Sequence, residues 1–157
     1  MSWYPHQTVA VVVEKPRTDP TATPQFLIVE EVSDGRVVFN QPAGHLEANE
    51  SLAQAAVREA LEETAWHVEL TGFIGVYQTV SAANGICYIR NCFAARALRH
   101  EADRDLDSDI IRTHWFSLPD LQAQQAQLRS PAVVVVIEDY LRGQVYPLSL
   151  VRDLSAT

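Results

Sequence analysis

Glu59, Glu62 and Glu63 stand at i, i+3 and i+4. An α-helix turns roughly 100° per residue, so this spacing gathers three carboxylates within an arc of about 100°. Like charges so placed repel by roughly 0.2–0.5 kcal/mol per pair in an exposed helix. A hard divalent cation removes that penalty, because carboxylate oxygens are its preferred ligands. A cation held this way can polarise a bound oxygen and lower the pKa of a coordinated water. Arg58, on the flank of the same segment, can pair with a neighbouring carboxylate and orient it. A bare ExxEE is more often a solvated acidic face, so the surrounding segment has to decide.

The elements around these residues must hold them at a fixed angle. On a helical wheel Leu52, Ala53, Ala56, Val57, Ala60 and Leu61 form an apolar arc beside the carboxylates, and that arc is expected to pack on a core. Asn49 or Ser51 can cap the helix, and Glu50 suits its positive end. Upstream, residues 8–14 read as a valine-rich strand buried on both faces, and residues 15–24, with three prolines, as a surface loop. A strand over 25–32, a turn over 33–36 and a short strand over 37–40 follow. They lead into Gln41-Pro42-Ala43-Gly44, a loop that brings backbone groups to the mouth of the acidic helix. Downstream, strands over 67–81 and 86–99 are joined at Ala82-Ala83-Asn84-Gly85, where Asn-Gly is a strong hairpin signal. Residues 110–116 form another strand, and Ser117 caps a short helix running to about residue 127 with Pro119 in its first turn. Residues 130–142 have strand propensity in their valine run. Yet Ser130-Pro131 starts a helix, Gly143 stops one, and apolar positions 133, 136, 137 and 140 repeat helically, so a helix is expected. The fold class is α/β (α+β), a mixed sheet flanked by helices.

Gly44, five residues, Glu50, seven residues, then Arg58-Glu59-x-x-Glu62-Glu63 resembles the Nudix box. Two positions depart from that pattern: Ala60 replaces a bulky aliphatic, and Ala65 replaces the glycine that follows the helix. Alanine in a left-handed cap costs on the order of 1 kcal/mol, which leaves the shape of the following loop open. Beyond the box, the segments 40–47, Asp107-Ser108-Asp109-Ile110, Leu128-Arg129-Ser130-Pro131 and Tyr146-Pro147-Leu148 resemble NudJ-type bacterial phosphatases, and the resemblance runs from about residue 6 to about residue 150.

The resemblance implies an α/β/α sandwich and a single Nudix domain over 1–157, with the box at 44–66 and a C-terminal helix and tail over about 130–157. It further implies Mg²⁺-dependent hydrolysis, with Mn²⁺ as a substitute, of nucleoside tri- and diphosphates and related small organic pyrophosphates. The pyrophosphate of the thiamine pyrimidine precursor is among these. Implied metal ligands are Glu59, Glu62, Glu63 and a backbone carbonyl at Ala43; Glu59 is ligand, base or both, and Arg58 orients. Ala43 and Gly44 give the loop its close backbone approach to substrate. Asn40 and Gln41 either hydrogen-bond the ligand or satisfy backbone groups. Asp107 and Asp109 are candidates for a general base on a second loop, a solvated acidic turn over 101–109 being the alternative. Glu50 is carried over from the motif or complements the helix dipole. Two other activities compete: a pyrophosphohydrolase of nucleotide sugars, dinucleotides or damaged dNTPs, and a non-catalytic module that binds a nucleotide and regulates a partner.

Composition narrows the partners. Net charge is −8, and of 12 basic residues only Lys15 is lysine, leaving eleven arginines. Such a surface disfavours a long nucleic acid, whose affinity rests on phosphate neutralisation. A small polyphosphate meets the same repulsion unless cations bridge it to the protein. The N-terminus lacks a signal peptide's basic and apolar regions, and no apolar run reaches the roughly 20 residues a bilayer needs, so a cytoplasmic protein without membrane contact is expected. A monomer is expected, with a homodimer as the alternative. Cys87 and Cys92, five apart in a strand, point to opposite faces and should stay reduced. Asp103-x-Asp105-x-Asp107 mimics a calcium loop, but Ser108 and His114 stand where its glycine and final glutamate belong. Trp3, Tyr4, Phe39, Tyr77, Tyr88 and Trp115 are candidates to stack a base, each more readily explained by packing. Among the histidines only His45 lies beside the site, and neither a phosphate-binding P-loop nor a dinucleotide glycine pattern occurs.

Overall fold

Five consecutive buried residues, Val9 to Val13, form the centre of β1 (His6–Glu14), and alternation sends them to two different cores. The structure, a computed structural model, describes residues 2–155. After β1 come β2 (Gln25–Ser33), β3 (Arg36–Asn40), β4 (Ala43–His45), α1 (Leu52–Thr64), β5 (Trp66–Val80), β6 (Cys87–His100), β7 (Ile110–Ser117), α2 (Leu118–Gln122) and α3 (Ala132–Leu141). The strands run in the order β3-β2-β1-β6-β5, with β4 added to β1 and β7 to β2. Among the named strands β1 and β6 pair in parallel and the other pairings are antiparallel, which makes the sheet mixed.

Each face of this sheet carries a helix layer. Ala10, Val12, Phe26, Ile28, Cys92 and Ala94 pack under Val133, Val136 and Ile137 of α3 and Leu121 of α2. Val9, Val11, Val13, Leu27, Phe93 and Ala95 pack under Ala55, Ala56 and Ala60 of α1. This is the expected α/β/α sandwich. The valine run of residues 133–136 is helical because burial at helical spacing outweighs the modest intrinsic preference of valine for strands. Cys87 and Cys92 are buried and free.

Turn chemistry acts where the sequence placed it. Gly85 adopts φ 71° and Asn84 Oδ1 accepts the Ile86 N–H, closing the β5–β6 hairpin. Ser51, not Asn49, caps α1: its hydroxyl accepts from Gln54 N, and the Gln54 side chain accepts from Ser51 N. Asn49 instead takes a left-handed turn at φ 65° ahead of the cap.

Three local expectations are corrected. Ala43 and Gly44, read as part of a loop over 41–44, instead join His45 in β4 by pairing with Thr8, Val9 and Ala10, a segment too short for any periodicity to reveal. The helix after Ser117 ends at Gln122 and a 3-10 turn spans Gln125–Gln127. There the chain is drawn onto the edge of β3, where Leu128 bridges Phe39 and Arg129 N donates to Phe39 O. Finally, Leu52, Ala56, Val57 and Ala60 of the wheel's apolar arc pack on the core as expected, but the buried face extends beyond that arc to the acids beside it. Ala55, Ala56, Glu59, Ala60 and Glu63 are buried, whereas Leu52, Ala53, Val57 and Leu61 are only half-buried. The helix is rotated so that two carboxylates face inward onto β4.

Ala65 terminates α1 at φ 61°, ψ 15°, and its N–H donates to Leu61 O. A left-handed alanine is strained by roughly 1–2 kcal/mol. Its methyl is buried, which returns about 0.8 kcal/mol, and alanine also restricts the unfolded chain by about 0.4–1 kcal/mol relative to glycine. The opposing effects nearly cancel. Ala65→Gly is therefore expected to change unfolding stability in urea by less than about 0.5 kcal/mol.

Candidate active site

Glu63 sits on the inward face of α1, and its Oε1 accepts the Ala43 N–H at 2.7 Å. Burial pushes its carboxyl up to about 9; the Ala43 amide opposes this, while the charges of Glu31, Glu59 and Asp107 add to it. One turn earlier Glu59 lies against Gly44, where a Cβ would stand 2.1 Å from Glu59 Oε1. Only glycine leaves that space to the carboxylate. Burial also raises the Glu59 carboxyl, against the pull of Arg58. The third member comes from the loop between β6 and β7. Asp107 N donates to Glu62 O at 3.1 Å, which moors this loop to the end of α1.

Carboxylate oxygens of Glu59, Glu63 and Asp107 thus lie within 4.8 Å of one another. Two of these groups are buried, a costly arrangement for like charges unless they take up protons or a cation. A divalent ion of magnesium's size holds oxygens at 2.0–2.1 Å, so opposite ligands stand about 4.2 Å apart. Three oxygens within 4.8 Å of one another match that scale. The donor set, all oxygen and strongly acidic, fits a hard divalent cation.

Arg58 ties the outer side together. Its Nε and Nη2 donate to the two oxygens of Glu50 at 2.9 and 2.7 Å, a bidentate pair. Nη1 donates to Glu59 Oε1 at 2.8 Å and Glu62 Oε2 at 3.1 Å, and Nη2 to the His45 carbonyl at 3.0 Å. Hydrogen bonding to Glu50 holds the guanidinium well above its ordinary value, and Arg58 in turn holds Glu50 below the usual carboxylate range. In the structure Glu50 acts as the clamp on Arg58; it lies outside the helix, before the cap.

The sequence matches the family profile described as NUDIX domain over residues 4–136. The chain belongs to the Nudix family. It is 39% identical over 151 residues to the Phosphatase NudJ of Escherichia coli strain K12, spanning 96% of this chain and 93% of that protein. The figures for the Phosphatase NudJ of Shigella flexneri are the same. A solved NUDIX hydrolase from Nitrosomonas europaea superposes with a TM-score of 0.90 at 39% identity, covering 98% of this chain and all of that one. The fold extends to a C. elegans Ap4A hydrolase at 15% identity and TM-score 0.68, covering 88% of this chain and 96% of that one. The Nudix chain is accordingly a hydrolase of phosphoanhydride bonds, in a family whose chemistry uses divalent cations.

Within this Nudix site the predicted residues separate. Glu59, Glu63 and Asp107 converge, with Ala43 and Gly44 directly against them. Glu62 is turned outward onto Arg58. Asp109 is exposed; its carbonyl accepts the Val32 N–H and so ties the loop to β2. Asn40 and Gln41 are interior. Gln41 Nε2 donates to Val133 O at 2.7 Å, and Arg90 Nη2 donates to Gln41 Oε1 at 2.6 Å and Asn40 Oδ1 at 3.0 Å. Of the two readings for this pair, the satisfied interior one describes the geometry.

The aromatic candidates divide as well. Phe39, Tyr77 and Trp115 pack in the two cores. Tyr88 meets the His6 ring edge-on, Tyr4 stacks on His6, and His6 Nδ1 lies 3.1 Å from His45 Nε2. Trp3 and Tyr4 are largely exposed. Sequence reading passed over Glu31 and Arg90, which reach the site through contacts far apart in the chain. Arg129 it met only as part of the Leu128-Arg129-Ser130-Pro131 segment. No described helix is long and apolar enough to cross a membrane.

Proposed function

We propose that this chain, a single Nudix domain over residues 1–157, uses Mg²⁺, with Mn²⁺ as a substitute, to hydrolyse nucleoside tri- and diphosphates and related small organic pyrophosphates. The observation that carries this reading is the convergence of Glu59, Glu63 and Asp107 beside the Ala43–Gly44 backbone. Likeness to the NudJ phosphatases over nearly the whole length supports the substrate class. Glu59, Glu62, Glu63 and the Ala43 carbonyl would hold the metal. Bound there, a divalent ion supplies neutralising charge to phosphoryl oxygens and lowers the pKa of a coordinated water.

The remaining work falls to the chain's own groups. Gly44 lets the backbone of β4 come close to the diphosphate. Arg58 fixes the rotamers of Glu59 and Glu62 while anchored on Glu50. Glu59, or Asp107 from the opposite loop, accepts the proton of the attacking water, while Asp109 steadies that loop through its carbonyl. The enzyme works as a monomer on small substrates in the cytoplasm. A panel of nucleotides, sugar nucleotides and organic pyrophosphates, assayed for phosphate and pyrophosphate release with and without Mg²⁺, tests this. Stepwise release of single phosphates from nucleoside tri- and diphosphates is expected; pyrophosphate release from triphosphates alone would overturn it.

A further inference from the structure

Two guanidinium groups stand next to the acidic cluster, and they differ in what is left to them. Arg58 is engaged by Glu50, Glu59, Glu62 and the His45 carbonyl. Arg129 is held instead by β2 and β3. Its backbone is pinned to β3, where its N–H donates to Phe39 O at 2.8 Å. Its Nη1 donates to Glu31 Oε1 at 2.9 Å, and that is the side chain's one hydrogen bond among the described residues, out of five N–H donors. The Glu31 side chain is 8% exposed and that of Arg129 42%, so the carboxylate is a buried mount and the guanidinium an open one.

The mount is held from behind. Asn40 Nδ2 donates to Glu31 Oε1, while Asn40 Oδ1 accepts from Arg90. Arg90, nine-tenths buried, has no carboxylate partner among the described residues, and its Nε lacks any partner. Its charge orients the Asn40 amide toward Glu31. Backbone pairing sets this mount beside the site: Glu31 pairs with Ile110, three residues after Asp107, and Val32 N donates to Asp109 O at 2.9 Å. Arg129 therefore projects beside the carboxylates with most of its donors free.

We propose that Arg129 binds the terminal, unesterified phosphate of the substrate, and so selects open-ended diphosphates over those capped at both ends. This rests on the proposed hydrolysis of nucleoside di- and triphosphates. A cation on the carboxylates serves the phosphoryl groups it touches, but the outermost phosphate carries the most charge and needs a second positive partner. A planar guanidinium can offer it two parallel N–H donors.

Binding of a non-hydrolysable α,β-methylene nucleoside diphosphate, measured by calorimetry with Mg²⁺, tests this independently of turnover. Arg129→Ala is expected to weaken binding roughly 10–100-fold, the range for a hydrogen-bonded charge, and Arg129→Lys to recover part of it. The same analogue esterified at its outer phosphorus should lose less than ~3-fold, and Mn²⁺ affinity read by electron paramagnetic resonance should not move. Equal losses for both analogues, or no loss for either, would overturn the role of Arg129. Should the wild type bind the open analogue through Arg129 yet hydrolyse no diphosphate, the hydrolysis reading falls and the subsite stands.

Discussion

Glu63→Gln is expected to lower kcat by roughly 10³-fold or more, since losing even ~4 kcal/mol of transition-state charge stabilisation has that effect. The substitution is nearly isosteric. Its amide oxygen can still accept the Ala43 N–H now held by Glu63 Oε1, and its amide nitrogen faces the acceptors Glu59 and Asp107. Folding should survive, and with it the circular dichroism spectrum. What disappears is one negative charge from the group that would hold the cation, so Mg²⁺ affinity and turnover fall together. Glu62→Gln is expected to depress turnover comparably but for a mixed reason, because Glu62 also anchors Arg58. Steady-state kinetics across a Mg²⁺ titration read both effects. Turnover within tenfold of wild type in the two variants would remove the metal cradle from this account.

Metal-free protein should lose stability as pH rises, the reverse of a domain rich in salt-bridged carboxylates. The Glu63 carboxyl stands at about 9 when folded, against an ordinary value of 4.5. The folded chain therefore binds this proton more tightly than the unfolded chain. The resulting stabilisation is complete below 4.5 and is lost progressively as pH climbs toward 9. Glu59, also raised by burial, acts in the same direction. Between pH 6 and 8 the loss is on the order of 2–3 kcal/mol, or roughly 5–10 °C in Tm for a chain of this size. Divalent cation should restore more at pH 8 than at pH 6, and Glu63→Gln should flatten the metal-free profile. His45 works oppositely, since burial lowers its pKa and its contribution is lost as pH falls below the ordinary histidine value of 6.5. Thermal melts in chelator and in Mg²⁺ across this range check the sign. A Tm that rises with pH in chelator would contradict the burial of Glu63.

Much of the scaffold was legible because local chemistry and global packing agree. Ser117 caps its helix as expected, Ser51, one of two candidates, caps α1, and Asn84-Gly85 closes a hairpin. The apolar positions of α3 face its core at helical spacing. Legibility failed where the structure spends buried surface on polar groups. A helical wheel finds the apolar arc of α1, but nothing local in the sequence says that Glu59 and Glu63 are buried beside it. β4 is only three residues long, below the length at which alternation is a signal. Asp107 was a candidate through resemblance alone. The Glu31–Arg129 pair joins residues 98 apart, and Asn40–Arg90 residues 50 apart, so their meeting depends on sheet order rather than on any local pattern.

The inward turn of α1 also sets how the protein can change under selection. Where a soluble helix would ordinarily bury apolar side chains alone, this one buries two acids beside its alanines. Laboratory evolution for heat tolerance in chelator should therefore find its easiest gains at positions 59 and 63, with aliphatic or amide replacements. Each such gain would disarm the enzyme. Robustness and reactivity draw on the same square nanometre of helix, and only a supply of divalent ions lets the chain keep both.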